Sequence, residues 1–132
     1  MKIGPSNTDH VPYFSGMEDQ YDITSLLVSL ESVAAIQSSF DSYQRECFPD
    51  RPPEFFALEL AGEAGEVANN EKKMWKGRPV SEDALADEAA DVFIALVNYA
   101  NARGIDLKQA VQTKLSHIEN IRRERKQRGE DY

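Results

Sequence analysis

Two pairs of acids at helical spacing, Glu63-Ala-Gly-Glu66 and Glu88-Ala-Ala-Asp91, constrain this chain more than any other feature. Three-residue spacing places both members of a pair on one face of a helix. Between the pairs lies Lys76-Gly77-Arg78-Pro79, a break between two helices. Folded as an antiparallel pair, those helices bring all four carboxylates together inside a bundle. Anions gathered so closely repel unless cations sit between them. Hard divalent cations prefer all-oxygen ligands, and magnesium works where a phosphate completes its shell. The pattern points to magnesium-dependent phosphate chemistry.

The rest of the chain reads as helix. Residues 1–20 hold Gly4, Pro5, Pro12 and Gly16 without a sustained period and read as an irregular arm. From 23 to 46 the apolar positions Leu26, Leu27, Leu30, Val33, Ile36, Phe40 and Tyr43 recur at helical spacing. Serine-rich patches leave open whether this is one bent helix or two. Pro53 opens a second strong helix that runs to Trp75, where Gly77 and Pro79 stop it. Ser81 is positioned as the N-cap of a third, with Glu82 and Asp83 in its first turn and Gly104 at its end. Asp106-Leu107-Lys108-Gln109 reads as a capping box for a fourth, ending near Gln127. No segment alternates like an amphipathic strand, so the fold class is all-α. Residues 21–128 are expected to form a single domain with a four-helix-bundle core. The connections at 77–80 and 104–105 are short, which predicts that consecutive helices are antiparallel neighbours. Long helices on 132 residues leave more apolar surface than one copy covers. A homo-oligomer is therefore expected, a homotetramer ahead of a homodimer.

Charge and composition remove several function classes. A net charge of −8 argues against wholesale binding of duplex nucleic acid. The apolar runs are far short of a membrane span, and residues 1–20 lack the pattern of a signal peptide. The single cysteine, Cys47, offers no internal disulfide and no metal-binding spacing, so a reducing cytoplasm is expected. His10 and His117 form no cluster, which disfavours a serine–histidine–acid hydrolase.

On the second helix Glu59, Glu63, Glu66 and Asn70 fall within about 60° of one another at 100° per residue. Glu88, Asp91, Ala95 and Tyr99 form a comparable stripe on the third. Gly62 and Gly65 stand among the acids although glycine costs about 1 kcal/mol against alanine inside a helix. Their presence suggests close approach by another helix, a metal or a ligand. An acidic stripe is more often a solvated face, but two matched pairs with glycines favour the functional reading. Lys72, Lys73, Lys76 and Arg78 bracket Trp75, a platform for phosphate and base. The ordinary alternatives are cations at a helix C-terminus and a tryptophan packed in a core or interface. Lys114 shares its helix face with Leu107, Val111, Ile118 and Ile121. A lysine there either snorkels outward or reaches a charged site.

Leu60-Ala-Gly-Glu63-Ala-Gly-Glu66-Val67 followed by Asp87-Glu88-Ala-Ala-Asp91-Val92 resembles the ExxE…ExxD signature of the MazG-like all-α nucleoside triphosphate pyrophosphohydrolases. Asn101-Ala-Arg-Gly-Ile105-Asp106-Leu107 and the helix containing Lys114 are also similar, over about residues 37–123. The resemblance implies that Glu63, Glu66, Glu88 and Asp91 hold two or more Mg²⁺ ions, with Mn²⁺ able to substitute. It implies water attack at the α-phosphorus of a nucleoside triphosphate, giving a monophosphate and pyrophosphate. Glu63 or Glu66 would receive the water's proton, with Glu59 as an outer partner. Lys114, Asn120 and Arg123 would contact phosphate, with Lys73, Lys76 and Trp75 completing the substrate site. Ala95 stands where some relatives carry a larger aromatic residue, which leaves room for a purine, including purine deoxynucleotides. Two other readings compete: a phosphoribosyl-ATP pyrophosphohydrolase on the same bundle, and a non-catalytic helical interaction module with solvated acids.

Overall fold

Helix punctuation decides where this chain turns, and the computed structural model describes it over residues 21–131. The expected arm at 1–20 lies outside the described residues. Five helices follow in order: α1 (Thr24–Ser29), α2 (Ser32–Cys47), α3 (Pro53–Trp75), α4 (Glu82–Arg103) and α5 (Leu107–Gln127). Among the described residues there is no strand. Ser81 is extended, and its hydroxyl accepts the Ala84 N–H at 3.1 Å. Asp106 does the same for Gln109 at 3.1 Å. Each satisfies an otherwise orphaned N–H of the first turn. At the other ends Gly77 and Gly104 take φ of +80° and +68°. The N–H groups of Arg78 and Ile105 then close back on Lys73 and Ala100 at 2.9 and 2.8 Å, the six-residue closure that glycine permits.

The serine-rich stretch resolves into two helices. Around Leu30 and Glu31 the backbone bonds contract to three-residue spacing. The hydroxyls of Ser29 and Ser32 take the carbonyls of Leu26 and Ser29 at 2.6 and 3.0 Å. Side-chain oxygens that compete for backbone partners break the helix there.

α3 and α4 pack along their length as an antiparallel pair. Arg103 at the end of α4 meets Glu54 at the start of α3, at 3.6 Å, while Glu63 meets Glu88 and Asp91 midway. Phe56, Ala95, Val97 and Ala100 are the buried apolar residues of the described chain. Small side chains on α4 let α3 lie close.

The expectation that α5 would fold back on α4 is not met. α5 packs chiefly on α2. Gln112 donates to the Leu27 carbonyl at 2.9 Å, Lys108 pairs with Glu31 at 3.2 Å, and Arg123 donates to the Tyr21 carbonyl at 3.2 Å. The later part of α2 turns to α4 instead, where Phe40 meets Phe93 edge to face at 6.1 Å. Gln37, only 8% exposed, marks the change. Its side chain donates to Ile105 O at 2.8 Å and Asn101 Oδ1 at 3.1 Å, and accepts the Leu107 N–H at 2.8 Å. Asn101 returns a bond to the Gln37 carbonyl at 2.9 Å. This clamp holds the α4–α5 turn open, so the four long helices do not close into a ring within one chain.

Gln37→Ala strands buried donors and acceptors on both sides of the turn. It should cost about 2–3 kcal/mol by urea denaturation. Asp41→Ala, which removes only the exposed 3.0 Å pair with Arg45, should cost less than about 0.5 kcal/mol.

Candidate metal centre

The antiparallel register of α3 and α4 carries three acids to one point. Glu63, Glu88 and Asp91 each offer a carboxylate oxygen, all within 4.8 Å of one another, and each residue is half-buried. On α4 the three-residue spacing aligns Glu88 with Asp91, and Glu63 faces them from α3. One Glu88 oxygen, Oε2, is buried and has no hydrogen-bond partner among the described residues.

That oxygen decides what the site can hold. The Glu88 carboxyl faces that of Glu63 closely enough to share a proton, and this contact raises the Glu88 pKa above the ordinary carboxylate range. Burial adds to the rise, as do the charges of Glu63, Asp91 and Glu66. Ionised carboxylates are acceptors only, so nothing but a proton or a cation can join these groups. An all-oxygen donor set with an orphaned anionic atom fits a hard divalent cation. Glu66 stands apart from the trio: it is exposed at the edge of the cluster, and its charge still acts on Glu88.

The neighbouring expectations fare unevenly. An added Cβ at Gly62 or Gly65 would meet nothing within 4 Å, so no helix of this chain requires either glycine for close approach. Ala95 is buried at 3% exposure, on the α4 face that carries Glu88 and Asp91. Asn70, also buried, continues the acidic stripe without a side-chain hydrogen bond among the described residues. Trp75 is 87% exposed at the end of α3, Lys76 beside it is exposed, and Lys73 is half-buried. Twelve residues of helix put Trp75 about 18 Å along α3 from Glu63.

α5 contributes nothing to the cluster within one chain. Lys114 lies about 10 Å beyond the Gln37 clamp along α5, and Asp91 about 15 Å before it along α4. Lys114 and Asn120 are exposed. Arg123 is held by Glu119 at 2.9 Å and by the Tyr21 carbonyl, and Arg122 shares Glu119 at 2.7 Å.

Sequence reasoning missed Asn98. It is 8% exposed, makes no side-chain hydrogen bond among the described residues, and lines a cavity with Glu59. The signal was available: Asn98 interrupts the apolar run of α4 two turns after Asp91.

With this geometry in hand, comparison with known families is decisive. Residues 51–126 match the MazG nucleotide pyrophosphohydrolase domain. The chain belongs to the MazG nucleotide pyrophosphohydrolase family. No curated protein and no solved structure matches it. The matched span contains α3, α4 and nearly all of α5, and with them every acid of the MazG-type cluster. Among the described residues no helix is long and apolar enough to cross a membrane.

A pH dependence follows from Glu88. Below the ordinary carboxylate pKa, folded and unfolded chains both carry the proton and the cluster imposes no penalty. As pH rises through the raised folded value, the folded chain must accept an unfavourable charge, so metal-free stability falls. Glu88→Gln should remove part of this fall. In chelator, melting temperatures at pH 5 and pH 8 should differ more for the wild type than for Glu88→Gln. Equal differences would mean that the cluster is not self-repulsive.

Proposed function

We propose that this chain is a Mg²⁺-dependent hydrolase of nucleoside triphosphates, releasing a nucleoside monophosphate and pyrophosphate. The observation that carries the reading is the unpartnered buried oxygen of Glu88 among the converging carboxylates. Glu63, Glu88 and Asp91 hold the cation, with Glu66 at the rim completing a set for two or more ions, and Mn²⁺ substitutes for Mg²⁺. A divalent cation held there would neutralise phosphate charge and lower the pKa of a water. Glu66, exposed beside the cluster, accepts that water's proton as its oxygen joins the α-phosphorus. The α–β phosphoanhydride bond breaks, and pyrophosphate leaves.

The site is completed by a second copy of the chain. Large apolar side chains stand open to solvent, with Leu58 at 74% and Phe93 at 48% exposure, and a dimer or tetramer covers them. Trp75 belongs to that interface, flanked by Lys73 and Lys76, which approach phosphate from its edge. Lys114, with Asn120 and Arg123, reaches the triphosphate bound by a neighbouring subunit, since its own acids lie too far along the fold.

Incubation with a nucleotide panel and Mg²⁺ tests the reaction, and both products must be identified. Glu63→Gln and Asp91→Asn should each lower kcat at least about 10²-fold with the helical circular dichroism retained. Orthophosphate with a diphosphate as products would contradict the reading, as would turnover in chelator. Phosphoribosyl-ATP as the sole accepted substrate would move the chain to the other hydrolase class.

Shared sites make a separate prediction. Lys114→Ala and Glu88→Gln should each be nearly inactive alone and regain activity when mixed and allowed to exchange subunits. Only a hybrid places an intact acid cluster against an intact Lys114. Mixing without recovery, or sedimentation at 14.9 kDa alone, would count against a site built across subunits.

A further inference from the structure

A cavity of about 420 Å³ opens between the later part of α2 and the α3–α4 pair. Its walls are aromatic: Phe40 and Tyr43 from α2, Phe48 after it, and Phe55 and Phe56 from α3. Tyr43 and Phe48 meet edge to face at 5.2 Å, as do Phe55 and Phe56 at 5.4 Å. Four polar side chains interrupt this lining: Gln44, Arg51, whose guanidinium lies over the Phe55 ring at 4.7 Å, Glu59 and Asn98.

Asn98 is the informative one. It is as buried as Gln37, at 8% exposure, yet Gln37 is saturated with partners and the Asn98 amide has none among the described residues. Lining an open cavity, that amide is left to water or to a ligand. An amide presents donor and acceptor side by side, which matches the edge of a heterocycle carrying an amino group next to a ring nitrogen. Glu59 adds an acceptor, which favours the same amino group. An apolar helix from a second copy would leave both side chains unsatisfied.

Position links the cavity to the acids. Glu59 is one turn before Glu63, about 6 Å along α3, and Asn98 is about 10 Å beyond Asp91 along α4. A nucleotide held by its phosphates at the acids extends by the length of its sugar to this cavity. We propose that the aromatic cavity seats the nucleobase, with Asn98 and Glu59 selecting bases that carry an exocyclic amino group over uracil and thymine. The assignment rests on the nucleotide hydrolase reading and deepens it. Stacking between aromatic faces supplies affinity for any base, and the two polar groups supply choice.

Two measurements test this. In steady-state kinetics, the triphosphates of adenosine and cytidine should exceed that of uridine in kcat/KM by about tenfold or more. Asn98→Leu should reduce that preference to within about threefold through KM, with kcat and product identity retained. Tyr43→Ala, at an exposed part of the wall, should raise KM for every base alike. Unchanged base preference in a folded Asn98→Leu, or altered sedimentation in place of altered preference, would overturn the proposal.

Binding decides separately from turnover. The Asn98 side-chain amide resonance, identified by its loss in Asn98→Leu, should shift when adenosine or cytidine monophosphate is added without divalent cation. It should shift much less with uridine monophosphate. If no triphosphate is hydrolysed but these shifts occur, the base site stands and the hydrolase reading fails. If hydrolysis proceeds and the resonance does not respond, the base site is wrong.

Discussion

Everything at the candidate site depends on the packing of α3 against α4, because that contact must hold together groups that repel. Glu63, Glu88 and Asp91 would separate in any arrangement governed by their charges alone. They converge because α3 and α4 pack along their length, with Ala95 buried on the α4 face that carries Glu88 and Asp91. Hydrophobic packing is insensitive to the sign of nearby charge, so it can impose a geometry that electrostatics opposes. The strain appears at Glu88, whose carboxyl is pushed toward its neutral form and whose buried oxygen lacks a donor. A site of this kind is prepared for a cation before one arrives.

α2 performs a different task. Its later part closes one side of the α3–α4 pair and builds the aromatic cavity, while its first turns bind α5. The Gln37 clamp sits at the division and satisfies backbone groups on both sides of the Gly104 turn. Four hydrogen bonds, all partly buried, tie the turn to α2 at this point. α5 packs chiefly on α2 with Lys114 exposed, while Leu58 of α3 and Phe93 of α4 stand open to solvent. The chain thus carries an acid cluster that could hold a divalent cation, on a scaffold whose apolar side chains stand partly open to solvent.

Helix ends were legible because they rest on local chemistry. Ser81, Asp106, Gly77 and Gly104 each act within five residues, so their roles follow from residue type and order. The acid cluster was nearly as legible, since spacing on each helix and one short connection suffice to bring Glu63 to Glu88 and Asp91. Glu66 was harder to place: three residues from Glu63 is the same face in projection, yet a shift around the helix leaves it at the solvent edge. The glycines left their reason open, because the cost of a mid-helix glycine does not say whether a neighbouring helix, a metal or a ligand requires it.

By itself, then, the sequence determined the all-α class, the boundaries of α3, α4 and α5 and the acids that meet, all through interactions local along the chain or between consecutive helices. Only the tertiary structure decided that α5 departs from α4. That outcome depends on Gln37, 64 to 70 residues away from the groups it binds. The aromatic cavity was likewise invisible, for Phe40, Phe56 and Asn98 come from three helices and no periodicity relates them. Contacts of that separation are selected by the global balance of burial and hydrogen bonding. Residue order constrains that balance without displaying it.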